Sequence, residues 1–136
     1  MTAATSELQG AIFAALTGDI GLTGLLGGSK VFDHVPANSG FPYLTFGRTS
    51  IYDWSTGTED GTEQLLTLHV WSKLRGKGET MTIMERARLL LHDMPLALGE
   101  HSLVNLRHEF SEVRFDEDLD VYHGLLRFRA VTEPTG

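Results

Sequence analysis

Cysteine is absent from the 136-residue sequence, which excludes disulfide bonds and thiolate chemistry. Long apolar runs are also absent, because glycine, threonine or charged residues interrupt every hydrophobic stretch, and no segment is predicted to span a bilayer. The first ten residues, MTAATSELQG, have neither the basic start nor the apolar core of a secretory signal. We therefore expect a protein of cytoplasmic origin with no membrane partner.

Basic residues are scarce as well. Only 11 lysines and arginines stand against 18 carboxylates, which gives a net charge of −7 and a pI near 5.2. Non-specific affinity for nucleic acid comes from lysine and arginine, so a protein whose main task is to hold phosphates is disfavoured. An acidic surface would instead let DNA pass without sticking to it. The length and composition predict one globular domain over 1–136, with 1–5 and 133–136 loose.

The usual motifs of catalysis and cofactor binding are missing. There is no G-x-S-x-G sequence, and none of the six histidines stands in H-x-H or H-E-x-x-H spacing. The segment GGSK at 27–30 resembles a phosphate loop only superficially, because serine precedes lysine and a strand follows. No catalytic residue and no cofactor is therefore predicted.

A run of alternating aspartates is the one pattern that suggests a metal. Asp116, Asp118 and Asp120 occupy alternate positions, as at the start of a calcium loop. Val121 stands where such a loop needs glycine, and Arg127 stands where it needs glutamate. The sequence therefore predicts a solvated turn here and no metal site.

The segment 69–93 is the clearest structural signal, and it predicts the end of a strand, a polar loop and an amphipathic helix. Along the strand, one face carries Leu66, Leu68 and Val70, and the other carries Thr67, His69, Trp71 and Lys73. The helix has a single apolar stripe formed by Ile83, Ala87, Leu90, Leu91 and Met94. Each element has one apolar face, so the two are expected to pack together.

The rest of the chain predicts more strands than helices. A capping box at Ser6 and Gln9 predicts an N-terminal helix, and a short helical turn follows around 22–26. Strands are predicted at 31–35, 42–54, 62–73, 103–115 and 121–132, and the second helix at 80–93. The order αβββαββ with short connections predicts an α+β fold, in which two helices pack on one face of a mainly antiparallel sheet.

Two features of this arrangement suggest contacts with other proteins. The sheet face away from the helices is expected to carry Thr67, His69, Trp71, Tyr122 and Phe128, which is too apolar to remain in water. Two loops carry opposite charge: Lys73, Arg75 and Lys77 in one, and Asp53, Glu59 and Asp60, beside Trp54, in the other. If these loops meet on neighbouring copies, the head-to-tail contact generates a ring.

The chain resembles the small tail-terminator, or tail-completion, proteins of long-tailed phages, prophages and gene transfer agents. The resemblance covers most of 7–131 and is carried by the order and spacing of several stretches, which are LQGAIFAALTGD, GLTGLLGG, VFDHVPANSGFPYLTFG, LTLHVWSK, ERARLLLHD and LVNLRHEFSEVRFDEDLDVYHGLLRFRA. No single one of these stretches is specific to the family, whereas their combination is.

The resemblance implies a structural role. Proteins similar to this one form a ring, commonly of six copies, that caps the tail tube, stops its polymerisation and offers a surface for joining the head. The implied partners are other copies of the chain, the major tail tube protein and a head–tail connector, with DNA passing through the lumen unbound. The implied location is the head-proximal end of the tail, after assembly in the bacterial cytoplasm.

Two alternatives remain open from the sequence. One is a head-side connector, such as a stopper or adaptor protein, which shares small size and ring symmetry. The other is a small hydrolase that uses His69 or His108 with a carboxylate.

Overall fold

Three helices form one layer of the fold. A computed structural model describes residues 3–135, and in it the helices are α1 (Ala4–Thr17), α2 (Ile20–Leu26) and α3 (Gly78–Leu91). Helix α1 buries Leu8, Ile12 and Leu16, which recur every four residues on one side. Helix α3 buries a similar stripe, which comprises Thr80, Ile83, Met84, Ala87 and Leu91.

Helix α2 is short and is fixed at both of its ends. Asp19 caps its start, because its carboxylate accepts a hydrogen bond of 2.8 Å from the backbone N–H of Leu22. The same carboxylate binds Arg86 of α3 through two bonds of 2.8 and 2.7 Å. At the other end Gly27 has φ 78°, a left-handed conformation that glycine adopts without a Cβ penalty. A single aspartate thus joins α2 to α3.

The second layer is a five-stranded sheet. Its strands are β1 (Val31–Phe32), β2 (Tyr43–Asp53), β3 (Thr62–Ser72), β4 (His101–Asp116) and β5 (Val121–Pro134). They lie in the order β1-β2-β3-β5-β4, and every neighbouring pair is antiparallel except β1 with β2. Two long hairpins, β2–β3 and β4–β5, therefore lie side by side through β3 and β5.

All three helices contribute to one hydrophobic core on one face of the sheet. The sheet supplies side chains that alternate along β3 and β5, so that every second residue of these strands points into this core. The largest of them are Leu66, Leu68, Leu126 and Phe128, which pack with Leu8, Leu22 and Ile83 of the three helices. We call this the helix side of the sheet and the opposite face its outer face.

The predicted α+β class is confirmed, and several details differ. The helical turn at 22–26 is a complete helix, so the order is ααβββαββ with three helices. The capping box at Ser6 and Gln9 is wrong, since α1 begins one turn earlier with Ala3 as its N-cap and no side-chain cap. The strand predicted at 31–35 contains only two residues.

Residues near both chain ends take part in regular structure. Helix α1 begins at Ala4, and Glu133 and Pro134 pair with Ser102 and His101 in the sheet. Thr135 donates two further hydrogen bonds to the carbonyl of Glu100. The expectation that 1–5 and 133–136 are loose stays a prediction, and 1, 2 and 136 lie outside the described residues.

Within residues 3–135, no single helix is long and apolar enough to cross a membrane. Helices α1 and α2 reach that length and composition only as a pair, and they are bent by 79° where they meet.

Candidate assembly interface

The outer face of the sheet is the first candidate surface. The register pairs His69 with Thr45 and Leu125, and Trp71 with Tyr43 and His123, which places all of these side chains on one face. No second layer covers this face among residues 3–135. The predicted members Thr67, His69 and Trp71 lie here, but Tyr122 and Phe128 alternate onto the helix side, where Phe128 is completely buried.

An indole and two imidazoles form a rigid cluster on the outer face. Nδ1 of His69 lies 2.6 Å from Nε2 of His123, so the N–H of one ring donates a hydrogen bond to the ring nitrogen of the other. The ring of His123 stacks on Trp71, with centroids 4.0 Å apart and planes within 1° of parallel. The indole N–H donates to the hydroxyl of Thr45 at 3.1 Å. Each ring is therefore held by a directional contact.

The surroundings of the two imidazoles lower the pKa of both rings. Burial lowers the pKa of His69. Burial, followed by the proximity of His69 and of Arg114, lowers the pKa of His123 to about 4, although Asp116 acts in the opposite direction. The backbone makes room for this pair at Gly47, where an added Cβ would overlap the ring of His69. Burial therefore disfavours the charged form of both rings.

The acidic loop, residues 53–61, connects β2 to β3. A backbone bond of 2.9 Å from Trp54 to Gly61 closes it, and the hydroxyl of Thr56 accepts from the amide of Glu59 at 3.1 Å. Asp53 accepts a hydrogen bond from the amide of Ser55, and hydrogen bonding by the side chain and then the backbone of Ser55 lowers the pKa of the Asp53 carboxyl. Every residue of the loop except its last is exposed. Its three carboxylates therefore face solvent from an ordered turn.

Trp54 in the acidic loop is an exposed aromatic side chain. Its exposed fraction is 53%, and its ring lies 5.9 Å from the guanidinium of Arg129. Arg129 in turn binds Glu63 at 2.6 Å. Two neighbours of Trp54 along the chain, Ile51 and Tyr52, are also more than half exposed. The end of the β2–β3 hairpin therefore combines negative charge with apolar surface.

The basic loop, residues 73–77, connects β3 to α3 and is exposed throughout. The ammonium of Lys73 lies 5.1 Å from the centre of the Phe41 ring, a cation–π contact. Between residues 3 and 135, no carboxylate forms an ion pair with Lys73, Arg75 or Lys77. These cations are therefore available to a partner.

The acidic and basic loops lie at opposite ends of one strand. Strand β3 has 11 residues, with the acidic loop before it and the basic loop after it. At about 3.4 Å per residue, the two loops are roughly 35 Å apart. The structure thus brings His69 and Trp71 together, near the basic end, and separates the two charged loops. They cannot neutralise each other within one chain.

Sequence reasoning missed two members of the outer-face cluster, His123 and Thr45. The two histidines of the β4–β5 hairpin do not face each other, because His108 pairs with Phe128 and His123 pairs with Arg114. The alternating pattern of β5 puts His123 on the outer face, but only the register between β3 and β5 sets it beside His69. That register cannot be read from either strand alone.

The arrangement gives no support to hydrolytic chemistry. His69 is hydrogen-bonded to an imidazole, and Nε2 of His108 lies 2.5 Å from the hydroxyl of Ser111. Neither ring is hydrogen-bonded to a carboxylate of the described residues, as a histidine base oriented by an acid would be. Within residues 3–135, the imidazole–carboxylate pairs involve His92 and His101, the latter with Glu7 at 3.2 Å. The described residues contain no group of three metal-ligating side chains.

The aspartate run forms the predicted turn. Residues 117–120 connect β4 to β5, and the carboxylate of Asp116 accepts a hydrogen bond of 3.1 Å from the amide of Leu119. Asp120 adopts a positive φ of 55°, which aspartate tolerates in turns.

Comparison with known proteins relates this chain to a protein family and to a chain of a solved virion. The family model described as Tail completion protein gp17 matches residues 10–133. A solved chain described as belonging to the virion of a native gene transfer agent particle is 26% identical, with a TM-score of 0.89 over 98% of this chain and 99% of that one. No curated protein matches. The chain therefore belongs to the Tail completion protein gp17 family, which is structural and not enzymatic.

Proposed function

We propose that the protein forms a ring of six copies that caps the tail tube of a phage or gene transfer agent particle, ends tube polymerisation and offers a surface for joining the head. Family membership and the similarity to a gene transfer agent virion chain support a role in a tailed particle. The observation that carries the ring is the placement of unpaired opposite charges at opposite ends of the β2–β3 hairpin.

The ring follows from the direction of this contact. The acidic loop of one copy meets the basic loop of the next, so one surface binds a different surface and each copy keeps a free end until the circle closes. Charges at the rim of such a contact select the partner and its register more than they add affinity. Six copies is the number that the resemblance implies.

The chemistry of the chain fits a ring that DNA traverses. The net charge of −7 is unfavourable for binding phosphate, so DNA would slide through the lumen without being held. The partners in this proposal are further copies of the chain, the major tail tube protein on one side and a head–tail connector on the other. The location is the head-proximal end of the tail.

The test reverses the charge of one loop at a time in cells that produce the particles. Arg75→Glu with Lys77→Glu makes both loops acidic, and Glu59→Lys with Asp60→Lys makes both loops basic. Either chain alone is expected to give tails of uncontrolled length or heads without tails in electron micrographs. All four changes in one chain restore the complementary contact and should restore normal particles, which also controls for effects on folding.

Producing the two half-reversed chains, each with the charge of one loop reversed, in the same cells tests whether the number of copies is even. They can alternate around a ring only if the number of copies is even, so a ring of six predicts recovery of normal particles. Normal particles from either half-reversed chain alone would show that the loops do not meet, and normal particles after deletion of the gene would remove the proposed function. Binding of the purified protein to portal-bearing heads and not to tubes would assign it to the head-side connector.

A further inference from the structure

An aromatic groove opens at the basic end of the sheet. It has a volume of about 460 Å³, and its apolar lining includes Phe41, Tyr43, Trp71, Leu119 and Val121. The groove lies between the start of β2, the end of β3 and the turn that connects β4 to β5. It is therefore built from separate parts of the chain, and the segment after β1 also contributes Asp33 and Val35.

The walls of the groove are pre-organised. The rings of Phe41 and Tyr43 lie 4.9 Å apart, and Lys73 sits over Phe41 at the rim. Trp71 is fixed by its hydrogen bond to Thr45 and by the stacking of His123. A groove whose walls are already held in place loses little side-chain entropy when it binds an aromatic group.

The rim of the groove exposes apolar surface to solvent. Leu119 in its lining is 59% exposed, and Leu74, which follows the lining residue Lys73 in the chain, is 58% exposed. Lys73 and the basic loop lie at one part of the rim, whereas Asp118 and Asp120 flank Leu119 at another. The groove therefore suits an occupant that carries an aromatic ring and whose negative charge lies on the Lys73 side. The acidic loop has both, since Trp54 lies among Asp53, Glu59 and Asp60.

We propose that Trp54 of one copy seats in the aromatic groove of the next copy, while the carboxylates of its acidic loop meet Lys73 and the basic loop at the rim. This inference rests on the proposed ring and identifies the anchor of its subunit contact. Buried aromatic anchors surrounded by a charged rim are the usual arrangement of energetically important interface residues. The indole supplies the affinity and the carboxylates supply the orientation.

Charge favours this groove over the other large one. A second groove, of about 630 Å³, lies between α1 and the β2–β3 hairpin and is lined by Phe13, Ile51 and Leu66 among others. Asp33 lines both grooves, but only the aromatic groove has a cation, Lys73, in its lining. The aromatic groove therefore offers an acidic loop one cation as a partner, and the second groove offers none in its lining.

The test measures competition for places in assembled particles. Wild-type chain and a Trp54 variant are produced in equal amounts, and the ratio of the two in purified particles is measured by mass spectrometry. We expect Trp54→Ala to be depleted about tenfold or more, as for other buried tryptophan anchors. Trp54→Phe, which keeps an aromatic ring, should be depleted much less.

Two further variants address the groove itself. Leu119→Asp places a negative charge at the rim, where it repels the acidic loop, and should be depleted to a similar degree. Phe13→Ala removes an exposed aromatic side chain from the second groove, and should be incorporated like the wild type. A thermal unfolding measurement on each purified variant separates loss of contact from loss of folding, since Trp54 and Leu119 are both more than half exposed.

The outcomes separate this inference from the ring itself. If the loop charge reversals disrupt particles but a folded Trp54→Ala is incorporated equally with the wild type, the ring stands and the anchor is overturned. Depletion of Phe13→Ala without depletion of Trp54→Ala would place the contact at the second groove and overturn it as well. If neither the charge reversals nor Trp54→Ala has an effect, the proposed ring contact fails too.

Discussion

Gly124 of β5 lies directly beneath α3, and replacing it with alanine is the most quantitative test of how the two layers pack. A Cβ at this position would overlap the sulfur of Met84 and lie 2.9 Å from Cγ2 of Thr80. Met84 is flexible and can move in part, whereas Thr80 is fixed in the first turn of the helix. Overpacking of this kind costs about 1–3 kcal/mol, and the rigid neighbour favours a value of about 2 kcal/mol.

This cost translates into a clear change in melting temperature. For a chain of 136 residues, a loss of about 2 kcal/mol lowers the melting temperature by roughly 6–10 °C. The assay is thermal unfolding followed by circular dichroism, with urea unfolding as a second measurement of the free energy. The matched control is Gly10→Ala, since Gly10 is an exposed residue inside α1 with open space around it. That substitution should stabilise the protein by about 0.5–1 kcal/mol.

The cause of the destabilisation can be isolated in a second background. In a Met84→Ala chain the overlapping sulfur is gone and the contact with Thr80 remains, so Gly124→Ala should cost about 1 kcal/mol less than it does in the wild type and should still destabilise the protein. A melting temperature within 1 °C of wild type for Gly124→Ala, or an equal cost in both backgrounds, would refute the packing of α3 on this part of β5.

Three smaller predictions concern groups in unusual surroundings. The hydroxyl of Thr80 is buried and has no hydrogen-bonding partner among the described residues, so Thr80→Val should raise the free energy of unfolding by about 1 kcal/mol in urea; an unchanged or lower value would mean that the hydroxyl is bonded. The pKa of His123 is lowered from 6.5 to about 4, so its contribution to stability is complete above pH 6.5 and is lost as the pH falls towards 4. In His123→Asn, the loss of unfolding free energy between pH 6.5 and 4 should be smaller by about 1–2 kcal/mol, once solvent screening of this half-buried ring is allowed for. An unchanged dependence of stability on pH would contradict the assignment. Asp19→Ala removes both the cap of α2 and the hydrogen bonds that join it to Arg86. Amide hydrogen exchange should therefore accelerate in α2 and not in α1, and an exchange rate in α2 that is unchanged from the wild type would refute this role.

The elements that could be predicted from the sequence are those with a strong local pattern. Helix α3 was predicted at 80–93 and is observed at Gly78–Leu91, and the strand predicted at 62–73 is observed at Thr62–Ser72. The start of α1 was misplaced because the spacing of Ser6 and Gln9 imitates a cap. In the structure, Glu7 is held by the amide of Glu100, a contact between residues 93 positions apart in the chain.

The candidate interface was predictable only where it is local. The two charged loops could be identified because each is a short, exposed run of one charge. The aromatic groove could not, because it needs Phe41, Trp71 and Leu119, which lie on three segments that meet only through the sheet order. Likewise, His123 becomes a neighbour of His69 only once the register of β3 and β5 is known.

The most direct measurement of the head-to-tail contact is cysteine cross-linking in assembled particles, which is clean because the chain has no cysteine of its own. A chain with both Glu59→Cys and Lys77→Cys is expected to give a ladder of linked species that extends beyond the dimer after treatment with a short bis-maleimide. Each single variant should stay monomeric, because the acidic loop meets the basic loop and never its own counterpart. A doubly substituted chain that remains monomeric or stops at the dimer, or single variants that link to themselves, would contradict the account.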